Sequence, residues 1–405
     1  MPKSFGVQVG IVGKPNTGKS TFFAAVTLQD VKIAPYPFTT IEPNVGIGYV
    51  KVKCVCEELG VRDNPVNSFC VKGWRFAPIE LIDVAGLVPD AWQGRGLGNR
   101  FLDHLRRADA LIHVVDASGS TDAEGRPVEP GSYDPLKDVE FLERELDMWI
   151  FEMLEREWKR FAMSVEATGA KLDEEIYRRL SGLEVNRDAI SEAIEAADLV
   201  GKKPSLWSAE DILRFVRETR IRAKPMIIAA NKADMPSSKA NVERMREKLK
   251  NRYFVIPTSA EAELALRKAS AAGLIKYVPG DKDFEVLGKL SAKQEMALEY
   301  IRKNVLETWG STGVQDAINS TVLEVLGYVA VFPVADDQKL TDSEGRVLPE
   351  IYLMKRGSTA RDLAYAVHSD LGDKFIAAVD VKTKKRIGAS SPLYHRMVLR
   401  VIAGR

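Results

Sequence analysis

Apolar residues along the chain gather into short runs separated by stretches of helical periodicity. Runs at about residues 5–12, 78–83, 110–116, 224–230 and 253–257 predict β-strands with helices between them. That alternation is the pattern of a doubly wound, mostly parallel α/β sheet. Between the strand ending near Asp116 and the one starting near Lys224 lie about 100 residues, far more than one crossover helix needs. Within them Leu142, Leu146, Trp149 and Met153 step by 4, 3 and 4, and Ile176, Leu180 and Leu183 repeat the spacing. This predicts an inserted antiparallel helical hairpin, coiled-coil-like, with one apolar seam. The Gly- and Pro-rich stretch Gly125–Pro135 feeds the insertion and Gly201–Pro204 closes it. Ser208, with Asp211 three residues on, reads as the cap of the next helix. Helices follow from about Ala260 to Leu326, the last opening at Gly313 with Ile318, Val322 and Val325 on one face. The pattern then changes to short strands at Val329–Val334, Ile351–Met354, Phe375–Val379 and Met397–Ile402 around a helix beginning near Thr359. These shifts predict four segments, 1–120, 121–215, 216–325 and 326–405, the second inserted between two parts of one sheet domain and the last a compact α+β unit.

Composition narrows the class. With 405 residues, 45% hydrophobic and 28% charged, the chain can bury two or three cores. No run of about 18 apolar residues suggests a membrane span, and Met1–Phe5 leads straight into a strand, so a cytoplasmic protein without membrane partners is expected. Three cysteines, an odd number, argue against a disulfide framework. The net charge of +1 gives no overall attraction to polyanions, but residues 121–220 carry 15 Lys/Arg against 24 Asp/Glu while residues 326–405 carry 13 against 9. An acidic middle and a basic tail imply different surfaces for different contacts.

The chemistry lies where the strands end. Gly13-Lys14-Pro15-Asn16-Thr17-Gly18-Lys19-Ser20-Thr21 follows the alternating Val7, Val9 and Ile11 and matches the full phosphate-cradle pattern. Backbone N–H groups face a triphosphate, Lys19 reaches its β- and γ-phosphates, and Ser20 ligates Mg²⁺. Asp83-Val84-Ala85-Gly86 offers a carboxylate for the Mg²⁺ shell and, in Gly86, an N–H able to swing to the γ-phosphate. In Asn231-Lys232-Ala233-Asp234, the Asp234 carboxylate can accept both N–H groups of guanine's Watson–Crick edge, a pair adenine does not offer. Thr258-Ser259-Ala260 supports the base from below. In Tyr36-Pro37-Phe38-Thr39-Thr40 a threonine hydroxyl, Thr40 rather than Thr39, can complete the Mg²⁺ shell only when a γ-phosphate is present, which is the logic of a switch.

These motifs, with Pro37-Phe38-Thr39-Thr40-Ile41-Glu42-Pro43-Asn44 and Gly94-Arg95-Gly96-Leu97-Gly98-Asn99, resemble the Obg-like translation-factor P-loop GTPases, above all their YchF-related branch. Leu348–Tyr352 and Lys355–Leu363 resemble a TGS domain, the β-grasp module shared with threonyl-tRNA synthetases and SpoT proteins. The resemblance spans nearly the whole chain and implies a GTPase working near ribosomes or RNA. Two departures stand out. YchF itself carries a Glu-ending base motif and takes ATP, whereas this chain keeps Asp234 and so should prefer GTP. YchF-type proteins also carry a candidate catalytic histidine after the strand that here ends at Asp116, and residues 116–135 contain none.

Leu87 stands where many GTPases place a water-orienting glutamine, so intrinsic turnover should be slow. Family members with an asparagine at the position of Asn16 can use it to hold K⁺ between the phosphates; Arg95 and Arg100 are weaker candidates for the missing positive charge. Cys54, Cys56 and Cys70, with Asp63, read either as a metal knuckle or, since a fourth cysteine is missing, as small half-buried thiols. His113 lies within a strand and reads as a packed histidine, and Lys382, Lys384, Lys385 and Arg386 as either a solvated hairpin or an RNA phosphate contact. The expectation is a monomeric Mg²⁺-dependent GTP hydrolase, gated by nucleotide, acting on ribosomes or RNA, with a protein partner on the helical insertion. The competing expectations are a nucleotide-dependent binding or scaffold protein with negligible hydrolysis, and an ATPase of relaxed specificity like YchF.

Overall fold

The computed structural model describes residues 6–27, 45–84, 105–183 and 185–404. Its main sheet contains β1 (Gln8–Val12), β2 (Val45–Lys53), β3 (Phe69–Val71), β4 (Trp74–Asp83), β5 (Ala110–Asp116), β6 (Met226–Asn231) and β7 (Val255–Pro257), in the order β2-β4-β1-β5-β6-β7 with β3 also on β4. The pairs β4-β1, β1-β5, β5-β6 and β6-β7 are parallel, and only β2 and β3 run antiparallel, both against β4. The five strands expected from apolar runs form this parallel body. It is buried on both sides, as continuous runs such as Ala110–Asp116 require. Strand β2 escapes the run criterion because Lys51, Lys53 and three glycine or tyrosine positions interrupt its apolar character, and β3 because it is only three residues long. Lys51 is nevertheless buried, its ammonium held by the Pro279 carbonyl and Asp281.

The segment between β5 and β6 is richer than one hairpin. Helices Leu136–Glu155, Trp158–Thr168, Leu172–Arg179, Arg187–Ala196 and Ala209–Ala223 fill it, broken at Glu157, at Gly169 in the left-handed region and at the turn before Asn186. The expected seam residues Leu142, Leu146, Trp149, Ile176, Leu180 and Leu183 are buried, and Met153 packs partly buried against them. They do not form a free-standing seam. The same core takes in Val12, Ile82, Leu111 and Val115 of the sheet, so the helices cover one sheet face. Seven-residue periodicity cannot distinguish a helix that meets another helix from one that meets a sheet. The expected cap is present: the Ser208 side chain accepts from the Asp211 N–H and the Asp211 carboxylate accepts from the Ser208 N–H.

Beyond a small ribbon, β8 (Ile275–Lys276) with β9 (Glu285–Val286), the C-terminal sheet comprises β10 (Tyr328–Val334), β11 (Tyr352–Lys355), β12 (Phe375–Asp380), β13 (Lys385–Ile387) and β14 (Met397–Ala403), ordered β11-β10-β14-β12-β13. Here β10 and β14 are parallel and the other pairs antiparallel, with helix Ala360–Val367 packed on one face, a β-grasp arrangement. All seven β10 residues are buried because the strand faces two cores. Val329 and Val331 meet Ala360 and Leu363, while Tyr328, Ala330, Phe332 and Val334 join Val50, Val52 and Cys54 of the main sheet's flank.

Candidate nucleotide site

In the register of the parallel strands Ile11 lies beside Asp83 and Asp116 beside Asn231, so β1, β4, β5 and β6 deliver their motifs to one edge. That is the carboxyl edge, where open α/β sheets bind ligands. The loop after β1 runs into helix Lys19–Thr27, whose unpaired first N–H groups and positive dipole end favour phosphate. Two glycines allow this path. A Cβ on Gly13 would come within 2.5 Å of the Val114 carbonyl, and Gly18 has φ +89° with a Cβ position 2.3 Å from Asn231 Nδ2. Lys19 pairs with Asp83 at the end of β4, and the Ser20 hydroxyl is exposed beside them.

The two ends of the site are tied together by Asn231. Its Nδ2 donates to the Thr17 carbonyl at 2.8 Å, and its Oδ1 accepts the Ala260 N–H at 3.0 Å. One buried side chain thus couples the phosphate loop to the loop after β7. Asp234 receives the Ser259 hydroxyl at 2.8 Å, which orients its carboxylate. Asn16, Gly18, Thr21, Asn231, Lys232, Asp234, Met235, Ser259, Ala260 and Glu261 line a cavity of about 320 Å³. Helices behind brace it, with Trp309 Nε1 donating to the Ala233 carbonyl at 3.0 Å and the Tyr300 hydroxyl to the Asp234 carbonyl at 3.2 Å.

Three features escaped the sequence. Asp116 is a buried hub: it accepts from Lys232 Nζ at 2.8 Å and from the hydroxyls of Ser118, Ser120 and Thr121. Burial raises its pKa, but the Lys232 and Ser118 bonds outweigh that and leave it below the usual carboxylate range. A strand-ending aspartate followed by three hydroxyl residues in five positions was the available signal. Lys14, second in the phosphate loop, turns its ammonium away from the cavity to Asp138 at 2.9 Å, the Thr121 carbonyl at 3.1 Å and the Tyr133 ring face at 4.0 Å. Asn16 Nδ2 donates to the Gly125 carbonyl at 2.9 Å, so the loop that feeds the insertion, running from Gly125 to Pro135 and into helix Leu136–Glu155, also lies against the phosphate loop. Gly125 fits there because a Cβ, at 2.5 Å, would strike the Pro15 carbonyl.

His113 is packed as expected. Burial, with the Lys14 ammonium second, pushes its imidazole down to about 3. Of the four basic residues in the C-terminal turn, Lys382 is occupied by Glu58 at 2.9 Å, whereas Lys384, Lys385 and Arg386 are exposed at the sheet's edge. Thr40 with its segment Tyr36–Asn44, Gly86, Leu87, Arg95 and Arg100 lie outside the described residues. Among the described residues no helix is long and apolar enough to cross a membrane.

Family models divide the chain among three descriptions: a 50S ribosome-binding GTPase over residues 8–149, the G4 motif-containing domain of Obg-like, YGR210-like GTPases over 229–336, and a TGS domain over 337–403. An uncharacterized GTP-binding protein of Methanocaldococcus jannaschii is 49% identical over 398 residues, covering 98% of this chain and 99% of that one. The chain belongs to the YchF/Obg family of GTP-binding proteins. Similar too are an uncharacterized GTP-binding protein of Schizosaccharomyces pombe, 34% identical over 93% of this chain and 92% of its own, and the ribosome-binding ATPase YchF of Bacillus subtilis, 28% identical over 93% and 88%. The crystal structure of a GTP-binding protein from Pyrococcus horikoshii OT3 superposes with TM-score 0.79 at 41% identity, covering 98% of this chain and all of that one. The family's P-loop domain with its mostly parallel sheet, followed by a TGS domain, is the architecture described above.

Proposed function

We propose that this family member hydrolyses GTP to GDP and phosphate and uses the reaction as a nucleotide-gated switch on ribosomes or RNA. The observation that carries the reading is the Asn231 clamp, which ties the phosphate loop to the Ser259–Ala260 turn whose serine orients Asp234, all of them lining one cavity. In this reading the amides of residues 13–21 bind the triphosphate, and Lys19 adds positive charge at its β- and γ-phosphates. Asp234, oriented by Ser259, accepts guanine's two N–H groups, and Asn231, Lys232 and Ala260 fix the walls around it. An adenine would leave that carboxylate desolvated without donors.

The Ser20 hydroxyl, with the Asp83 carboxylate at the end of a neighbouring strand, makes a hard oxygen set that suits Mg²⁺: Ser20 and Thr40 would ligate the ion and Asp83 would hold its coordinated water. When bound, the ion supplies positive charge to the phosphate oxygens. Gly86 would donate its N–H to the γ-phosphate, so Thr40 and Gly86 report which nucleotide is present. The Asn16 amide oxygen is the atom that would hold K⁺, its nitrogen being committed to Gly125. Residues 1–120 and 216–325 then make up the nucleotide-binding body, 121–215 the arm for a protein partner, and 326–405 the RNA-facing module of a cytoplasmic monomer. The exposed Lys384, Lys385 and Arg386 are the phosphate contacts of that module.

Single-turnover hydrolysis in K⁺ and in Na⁺, with and without ribosomal subunits, tests the reading. Turnover that rises in K⁺ or on ribosomal subunits is expected; no turnover in any condition overturns it.

A further inference from the structure

All three cysteines of the chain converge on one point. Cys54 follows β2, Cys56 lies on the short helix Val55–Glu58 and Cys70 on β3, and Asp63 comes from the loop between them. The three sulfurs and an Asp63 carboxylate oxygen all lie within 4.8 Å of one another. Cys56 Sγ and Cys70 Sγ are 3.9 Å apart, and Cys54 Sγ is 3.2 Å from Asp63 Oδ2. A tetrahedral zinc with Zn–S of about 2.3 Å and Zn–O of about 2.0 Å has edges of about 3.8 Å between two sulfurs and about 3.5 Å between sulfur and oxygen. The Cys56–Cys70 and Cys54–Asp63 separations match those edges to within a few tenths of an ångström, and the remaining pairs stay within 4.8 Å, close enough for a small shift of side chains to close the shell.

The surroundings match as well. Asp63 Oδ2 accepts from Arg75 Nη2 at 2.8 Å, and Arg75 is wholly buried, its other bonds going to Ser68 Oγ and the Leu348 carbonyl. A carboxylate placed among three thiols and tethered by a buried guanidinium is the outer-shell arrangement that orients a metal-ligating carboxylate. Three thiolates and one carboxylate carry −4. A divalent ion and Arg75 together offset three of those charges.

We propose that Cys54, Cys56, Asp63 and Cys70 form a structural zinc site that fastens the nucleotide-binding sheet to the C-terminal domain. Three soft sulfur ligands select zinc over magnesium or calcium, and four protein ligands close the shell. The loop the ion anchors is the one that docks on the C-terminal domain. Asn64 N–H donates to the Val347 carbonyl at 2.8 Å, Val66 N–H to the Pro349 carbonyl at 2.7 Å, and Asn67 exchanges bonds with the backbone of Ile351 at 2.9 and 3.1 Å. The ion therefore sets the seam between the two domains rather than taking part in nucleotide chemistry.

The full chain, reduced and stripped of metal, is titrated with Zn²⁺ against a chromophoric chelator and with Co²⁺ as spectroscopic probe. One ion per chain is expected, with thiolate-to-cobalt charge-transfer and tetrahedral d–d bands, and with all three thiols protected from alkylation by zinc. Cys70→Ser should weaken zinc binding by at least about 100-fold and Asp63→Asn by at least about 10-fold, the latter keeping the charge-transfer band and losing the oxygen ligand. Asp63→Cys should retain one tightly held ion with a four-sulfur spectrum, so a folding failure of the other variants does not decide the matter. Three thiols alkylated equally with and without zinc, or a Cys56–Cys70 disulfide in protein that takes up no zinc, overturns the proposal.

Discussion

Removing the Asn231 side chain separates the clamp from everything else in the site. Asn231→Ala deletes the donor to the Thr17 carbonyl and the acceptor for the Ala260 N–H, and those two residues are fully buried, at 0% and 1% exposure. Leaving a buried backbone group unpaired costs about 1–3 kcal/mol, so the two together cost about 2–6 kcal/mol, the low end applying if water enters from the adjoining cavity. A chain with several cores does not unfold in one step, which makes a global midpoint a poor readout. Local opening is better read by amide hydrogen exchange. Peptides covering residues 13–21 and 258–263 should lose protection by roughly 30-fold or more, since 1.4 kcal/mol is a factor of ten. Peptides of β12, on the C-terminal sheet, serve as the internal control and should not change. Asn231→Asp keeps the acceptor for Ala260 but sets an oxygen against the Thr17 carbonyl, so it should loosen the phosphate loop and spare residues 258–263. Parent-like exchange in both peptides of Asn231→Ala would refute the clamp.

Three further outcomes are expected. Gly18→Ala must hold φ +89° and place its Cβ 2.3 Å from Asn231 Nδ2, so it should lose GTP affinity by at least tenfold in equilibrium titration while the C-terminal sheet keeps its exchange protection. Lys14→Met leaves Asp138 buried without its cation and should destabilise the loop and helix around it by about 3–5 kcal/mol, read as lost hydrogen-exchange protection in peptides covering residues 117–142, a loss largely recovered by the double variant with Asp138→Leu. His113, near 6.5 when exposed and about 3 in place, binds its proton more tightly in the unfolded chain, so its contribution is intact above pH 6.5 and is lost as pH falls towards 3. Between those limits the parent should lose stability relative to His113→Leu at a slope approaching about 1.4 kcal/mol per pH unit, checked by hydrogen exchange of β5 peptides, corrected for the intrinsic exchange rate, at a series of pH values.

The parallel strands, the phosphate loop and the base motif were legible because each rests on local pattern: continuous apolar runs and fixed spacing at strand ends. The same holds for the Ser208 cap and the C-terminal strands. What was not legible depends on which surfaces meet. Leu142, Leu146 and Trp149 signalled an apolar helix face but not that its partner was the sheet, strand β2 hid behind buried Lys51 and its glycines, and β3 behind its length of three residues. Lys14 read as part of the phosphate cradle, yet its ammonium is committed to Asp138, 124 positions away. Asp116 and Gly125 gained their roles only from being carried beside Lys232 and Asn16 by strand order. The cysteines were visible as a spacing, but their convergence with Asp63 required the turn between β2 and β3.

The central claim is that amides of residues 13–21 grip a triphosphate while Asp234, across the cavity, recognises guanine. Calorimetric titration of the parent and of Asp234→Ala with GTP and ATP in Mg²⁺ addresses both halves at once. The parent should bind GTP and strongly disfavour ATP, and Asp234→Ala should bring the two nucleotides within about tenfold of each other by weakening GTP. A parent that ignores guanosine phosphates at millimolar concentration, or a variant that still prefers GTP as the parent does, would contradict it.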